Sequence, residues 1–136
     1  MKPIEIARVL FEEGWNEQDF TRVSQRLTDE IPLHIGAVTH TTSVTDLQAI
    51  VARWHTAFPD FRFELHSVTA DESIAAVRAT MHGTHLGPWG DREATGRRIA
   101  VEHAFFLRIE DGLIVEVWEL LDQATLTTQL AGNRTT

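Results

Sequence analysis

At 136 residues the chain is about one domain long, which leaves no room for a multi-domain enzyme or a repeat array. Its 43% hydrophobic and 24% charged residues suit a packed globular core and exclude disorder as the main state. With 20 acidic against 12 basic residues the formal net charge is −8, so phosphate backbones and anionic membrane surfaces are repelled, and neither nucleic acid nor membrane is expected as a partner.

The absence of Cys removes disulfides, thiolate nucleophiles, Cys-ligated zinc and iron–sulfur clusters. The absence of Tyr removes every mechanism that needs a phenol as proton donor. No apolar run reaches membrane-spanning or signal-peptide length, so a soluble, cytoplasmic protein is expected.

Pro3 suits a first helical position, and Ile4, Ala7, Leu10, Phe11 and Trp15 repeat at helical spacing toward a break near Gly14. Asn16 is the expected cap of a second helix in which Phe20, Val23 and Leu27 share a face, ending near Thr28. Residues Ile31 to Val38 read as a strand with Pro32 near its start. Ser43 or Thr45 then caps a third helix that buries Leu47, Ile50, Val51, Trp54 and Phe58 and stops at Pro59.

Beyond Pro59 the period becomes alternating, with Phe61, Phe63 and Leu65 on one side of a strand and Arg62, Glu64 and His66 on the other. A second strand runs from Ile74 to about His82, and Asp111-Gly112 marks a hairpin between Ile99–Ile109 and Leu113–Leu121. The stretch from His85 to Arg98 is rich in turn formers and reads as a long loop. A short helix with Leu126 and Leu130 closes a single domain over residues 1–131, with 132–136 as a loose tail. The order α-α-β-α-β-β-β-β-α predicts an α+β fold with antiparallel pairing.

Serine-hydrolase elbows, phosphate loops, zinc-protease motifs and dinucleotide fingerprints are all missing, so strand parity carries the search for chemistry. In Ile99–Ile109 the odd face is apolar except for His103, and in Leu113–Leu121 the odd face is Leu113, Val115, Val117, Glu119 and Leu121, apolar except for Glu119. A carboxyl group on an apolar face loses hydration of its charged form, which suits it to proton exchange near neutral pH. Glu119 is the first catalytic candidate, against the alternative that it reaches solvent at the strand end. His103, on the neighbouring strand, either works with it or is a satisfied core histidine.

No metal is expected: His82 and His85 are spaced to point to opposite faces of a strand unless Gly83 bends it. His85 is expected to anchor the loop that follows. His34, His40, His55 and His66 read as surface or edge groups, with His34 turned inward if Pro32 shifts the parity. The aromatics Phe11, Trp15, Trp54, Phe58, Phe61 and Phe63 sit at core spacing, and some are expected to line an apolar pocket. Asp122 reads as the cap of the last helix and Trp118 as part of the outer sheet face. That outer face, with Ala100, Ala104, Phe106, Ile114, Trp118 and Leu120, is apolar enough to predict a homodimer.

Five stretches together resemble one family: Ala57-Phe-Pro-Asp-Phe, Arg78-Ala-Thr-Met-His-Gly-Thr-His-Leu-Gly-Pro-Trp, Thr95-Gly-Arg-Arg-Ile, Phe106-Leu-Arg-Ile-Glu-Asp-Gly-Leu-Ile-Val-Glu-Val-Trp-Glu-Leu-Leu-Asp and Thr128-Gln-Leu. Ordered and spaced as they are from Leu47 to Leu130, they resemble the SnoaL-like polyketide cyclases. The resemblance implies a cone-shaped α+β barrel, with a curved antiparallel sheet packed against three N-terminal helices around an apolar pocket, as in ketosteroid isomerase and scytalone dehydratase. It also implies cofactor-independent closure or isomerisation of an apolar carbonyl compound, with a carboxylate general acid/base seven residues beyond the hairpin Gly. Counting from Gly112, that residue is Glu119.

On the preceding strand the family's two polar positions match His103, which keeps the polarity, and Phe105, which departs from it and removes a donor for the enolate oxygen. Candidates for substrate contact are Trp15, His34, Trp54, Phe58, Trp89, Phe105 and Val117. The loop from Leu86 to Arg98 is expected to border the pocket mouth with Trp89 as its apolar tip. The alternatives are a carrier of a hydrophobic small molecule and a hydroxylase-like member of the same family.

Overall fold

The computed structural model describes residues 1–132; four of the five positions assigned to the tail lie outside the described residues, and Gly132 caps the last helix in the left-handed conformation. Helix α1 (Pro3–Arg8) runs without a break into a π-helical stretch, Val9–Trp15, and a 3-10 turn follows at Val23–Arg26. Then come β1 (Ile31–Ile35), β2 (Val38–Thr42), α2 (Val44–Ala57), β3 (Arg62–Ala70), β4 (Ile74–Thr84), β5 (Arg98–Glu110), β6 (Leu113–Leu121) and α3 (Gln123–Ala131). No described helix is long and apolar enough to cross a membrane.

The six strands form one curved, unclosed sheet in the order β2-β1-β6-β5-β4-β3. Four of its five strand pairings are antiparallel as expected, but β1 runs parallel to β6, with Leu33, His34 and Ile35 opposite Val117, Trp118 and Glu119. The sheet is therefore mixed. The expected single strand over Ile31 to Val38 is a hairpin: Gly36, at φ +58°, turns the chain and β2 returns along β1.

Two expectations for the N-terminal region are also corrected. Gly14 does not break the first helix; it is buried where a Cβ would stand 3.1 Å from Val23 Cγ2, so the missing side chain lets the helix approach the 3-10 turn. Asn16 caps nothing. Its amide donates to the Phe63 carbonyl at 3.0 Å and its carbonyl accepts from the Phe63 N–H at 2.7 Å, tying the helix to the edge strand. The expected second helix shrinks to the 3-10 turn, although Phe20, Val23 and Leu27 are all buried as the spacing requires.

Helix α2 begins at Ser43, whose hydroxyl accepts from the Asp46 N–H while the Asp46 carboxylate accepts from the Ser43 N–H, a reciprocal cap of about 1 kcal/mol. Asp122 caps α3 as expected, accepting from the Thr125 N–H and hydroxyl. The core lies between the helices and the concave sheet face, where Ala75, Val77, Ala79 and Met81 of β4 are buried and alternate with more exposed residues, as do Ile99, Val101, Phe105 and Leu107 of β5. At roughly 1.5–3 kcal/mol for each large apolar side chain, this face fixes the register, because a one-residue slip would turn it all to solvent.

Strand β6 does not keep one parity. A bulge pairs Arg108 with Glu116 but Ile109 with Ile114, so Ile114 turns inward and is 1% exposed, against the expectation that it lies on the outer face. Beyond the bulge Val117 and Glu119 point inward again.

Candidate active site

Between α1, α2, the β1–β2 hairpin and the concave face of β5 and β6 lies a cavity of about 560 Å³, within the range that encloses a drug-sized ligand. Its wall is built at helical and strand spacing: Leu10, Phe11 and Trp15 from the first helix, Leu47, Ile50 and Trp54 from α2, Leu33 and Ile35 from β1, and Phe105 and Val117 from the sheet. The π-helical stretch widens the turn that carries Leu10, Phe11 and Trp15, and His55 donates to the Trp15 carbonyl at 2.6 Å, fixing that end against α2.

Glu119 lines this apolar space, directly opposite Phe105 in the β5–β6 register. Its side chain retains 14% of its accessible surface, so the strand-end position does not release it to bulk water. Behind it stands His103, 3% exposed, with Nε2 3.3 Å from the Glu119 Oε2. The His103 ring stacks on Phe105 at 5.4 Å and 8° and meets the edge of Phe63, and its Nδ1–H donates to the Val101 carbonyl at 3.4 Å. That bond leaves Nε2 as the nitrogen facing the carboxyl, so one proton can pass between ring and carboxyl. Phe105 in turn packs on Phe11 and Phe63, so the pair is held in a wall of rings.

Of the candidate contact residues, Trp15, Trp54, Trp89, Phe105 and Val117 line the cavity. The other two are corrected. Phe58 is fully buried behind Trp54, stacked between it and His85, and belongs to the core. His34 faces the opposite side of the sheet: it follows the ordinary alternation of Ile31, Leu33 and Ile35, donates to Glu116 at 2.6 Å and stacks on Trp118 at 5.3 Å. Pro32 does not shift the parity. His103 is not part of the cavity wall either and touches the space through Glu119. On the outer face, the hydrogen bond from His34, helped by Arg108, holds Glu116 below the ordinary glutamate range.

The loop after β4 carries Trp89 to the cavity mouth. There Trp89 N–H donates to the Arg92 carbonyl and Arg92 N–H to the Trp89 carbonyl, both at 2.9 Å, closing a tight turn over Gly90 at φ +57°. Trp89 lies against Trp54 with ring centroids 4.0 Å apart, so it packs on α2 and borders the cavity at once. His85 anchors the loop: Thr95 donates through its hydroxyl at 3.0 Å and its N–H at 3.3 Å to His85 Nδ1, and burial, with the Arg92 charge, pushes this imidazole below the ordinary histidine range. Its Nε2 is buried with no hydrogen-bond partner among the described residues.

Arg53, Asp46 and His40 also line the cavity, and spacing could have identified the first two. Asp46, Ile50, Arg53 and Trp54 recur along one face of α2, so an acid and a base stand in the stripe that also carries Leu47. Among the described residues no three His, Asp or Glu side chains converge as a metal site would require.

Solved structures share this architecture. AclR from Streptomyces galilaeus, a candidate hydroxylase, is 26% identical, with 90% of this chain and 77% of that one covered at a TM-score of 0.75. TsrD from Streptomyces laurentii is 26% identical, covering 93% of this chain and 92% of that one at 0.79. IdmH from Streptomyces antibioticus, a candidate polyketide cyclase, has the same fold at 21% identity, covering 96% and 99% at 0.82. No curated protein matches the chain. The model of one family, the SnoaL-like polyketide cyclases, matches residues 5–130, almost the whole length over which helices, sheet and cavity have been traced, and the chain belongs to that family.

Proposed function

We propose that the protein is a cyclase or isomerase that acts on an apolar carbonyl compound with Glu119 as general acid/base and without a cofactor. The observation that carries this reading is the placement of the Glu119 carboxyl group among the apolar sheet residues Phe105, Val117 and Leu121 of the cavity wall, backed by a buried imidazole 3.3 Å away. Glu119 takes a proton from the carbon next to a substrate carbonyl. The resulting enolate carbon attacks a second carbonyl of the same molecule, closing a carbon–carbon bond, and the new alkoxide recovers the proton from Glu119. His103 orients the carboxyl and shares its proton. Phe105 offers no hydrogen bond to the enolate oxygen, so donors come from polar lining groups such as Thr42, His40 and Gln123.

The test is turnover of diketone and polyketide ester substrates by Glu119→Gln, which keeps size and removes the base. A general acid/base contributes about 10²–10⁴-fold, so turnover falls by that factor. Full turnover in the variant overturns the assignment, and a ligand that co-purifies and is never converted favours carriage. The likeness to AclR supports a second reading as a hydroxylase, whose mark is a product one oxygen heavier than its substrate.

A further inference from the structure

We propose that Arg53 is an anion-recognition residue at the cavity mouth, and that the substrate is a flat apolar carbonyl compound bearing a carboxylate on the end that remains at that mouth. This rests on the reading of the cavity as the substrate site and names the class of compound it takes.

Among the described residues that line the cavity, Arg53 is the one Lys or Arg. It is exposed, stands one residue before Trp54 on the lining face of α2, and its guanidinium carbon lies 5.6 Å from the centre of the Trp89 ring. Among the described residues no carboxylate forms an ion pair with it. Asp46, the lining acid on the same helix, has its carboxylate engaged in the Ser43 cap.

A guanidinium held over an indole by cation–π attraction, with no carboxylate partner, has N–H groups to offer in a fork that fits a carboxylate. The attraction to Trp89 keeps that fork at the rim, so less side-chain entropy is lost on binding. The electrostatics of the chain sharpen the point. The molecule carries −8 overall and the acids of the lining are Asp46 and Glu119, so an anionic ligand would be repelled along the described lining except at Arg53. The adjoining Trp54 and Trp89 faces suit a planar ring system, and Glu119 stands in the wall to reach the carbon next to its carbonyl.

The experiment compares 9,10-anthraquinone-2-carboxylic acid with its methyl ester, followed by quenching of the lining tryptophans. The native protein is expected to bind the acid about tenfold more tightly than the ester, the difference shrinking as salt is raised. In Arg53→Gln the preference disappears with ester affinity unchanged, in Arg53→Glu it reverses, and Arg53→Lys keeps part of it.

Equal binding of acid and ester by the native protein overturns the proposal while leaving the catalytic reading intact. A loss in Arg53→Gln that is equal for both probes overturns it too, because Arg53 would then act by packing on Trp89. Binding of neither probe overturns it together with the cavity as substrate site. The acid/ester ratio is read from binding by the native protein and the acid/base assignment from turnover by Glu119→Gln, so the two can fail separately.

Discussion

Gly87→Ala isolates the anchorage of the Trp89 loop. A Cβ at this position would stand 2.1 Å from the Thr56 carbonyl oxygen and 3.1 Å from its carbon, and both are backbone atoms of α2 that cannot swing aside. The cheaper response is for the loop to lift. Lifting breaks the bonds that the Leu86 and Gly87 N–H groups donate to the Ala57 carbonyl, each 3.0 Å, which satisfy one of the open acceptors at the end of α2.

Two such bonds are worth about 2 kcal/mol together, and loosening the Trp54–Trp89 pair adds about 1 kcal/mol. The reduced entropy of the unfolded chain returns about 0.5–1 kcal/mol on replacing Gly by Ala. A net loss of about 2 kcal/mol lowers the Tm of a chain this long by roughly 6–10 °C. The loop becomes open to trypsin at Arg92 and Arg97, and the anthraquinone probe binds more weakly. Trp89→Ala separates the two effects, since it removes the aromatic tip while leaving both anchoring bonds in place: probe binding weakens about as much, while the Tm falls by only about half as much, roughly 3–5 °C. Circular dichroism melts and fluorescence titrations read both variants. A Gly87→Ala protein whose Tm and probe affinity match the native values would refute the anchorage.

Two further outcomes follow from the chemistry outside the cavity. His85 is held neutral in the folded state, its pKa depressed by burial, so unfolding takes up a proton once the pH drops below the ordinary value of about 6.5; stability present above that pH is lost as the pH falls, and His85→Asn flattens this slope in melts between pH 7 and 5. On the outer sheet face Phe106 and Leu120 are 40% and 54% exposed beside the half-buried Trp118, and we expect two 15.4 kDa chains to associate there; Leu120→Lys converts the dimer to a monomer in size-exclusion chromatography with light scattering, and a native protein that already elutes as a monomer overturns the expectation.

The elements with strong periodicity could be read from the chain: β4, β5 and the buried stripe of α2 lie where alternation or helical spacing put them. The β1–β2 hairpin could not, because four of the five residues of β2 are exposed and no apolar period marks them. The parallel pairing of β1 with β6 joins segments more than 80 residues apart, and nothing local specifies it. Parity puts His103 and Glu119 on the same face of two paired strands, yet the same counting fails at Ile114, where a bulge inserts one residue. It also held where it was doubted, since His34 obeys plain alternation and lands outside. Arg53 was legible as a charge inside an apolar stripe, and helical spacing alone does not say that this stripe faces a cavity.

The tie between Asn16 and Phe63 bears on how this molecule stays separate from its neighbours. In an antiparallel sheet, facing residues exchange both an N–H and a carbonyl, and the carboxamide of Asn16 reproduces that exchange with a side chain. It therefore behaves as a strand one residue long, occupying the outermost rung of β3 at Phe63. A second molecule that tried to extend the sheet there would meet a rung already filled and a helix standing over it. Polymer growth through β3 is blocked where its most apolar residue lies, and the opposite border of the sheet falls to the exposed, threonine-rich β2, whose composition gives an incoming strand little to bury.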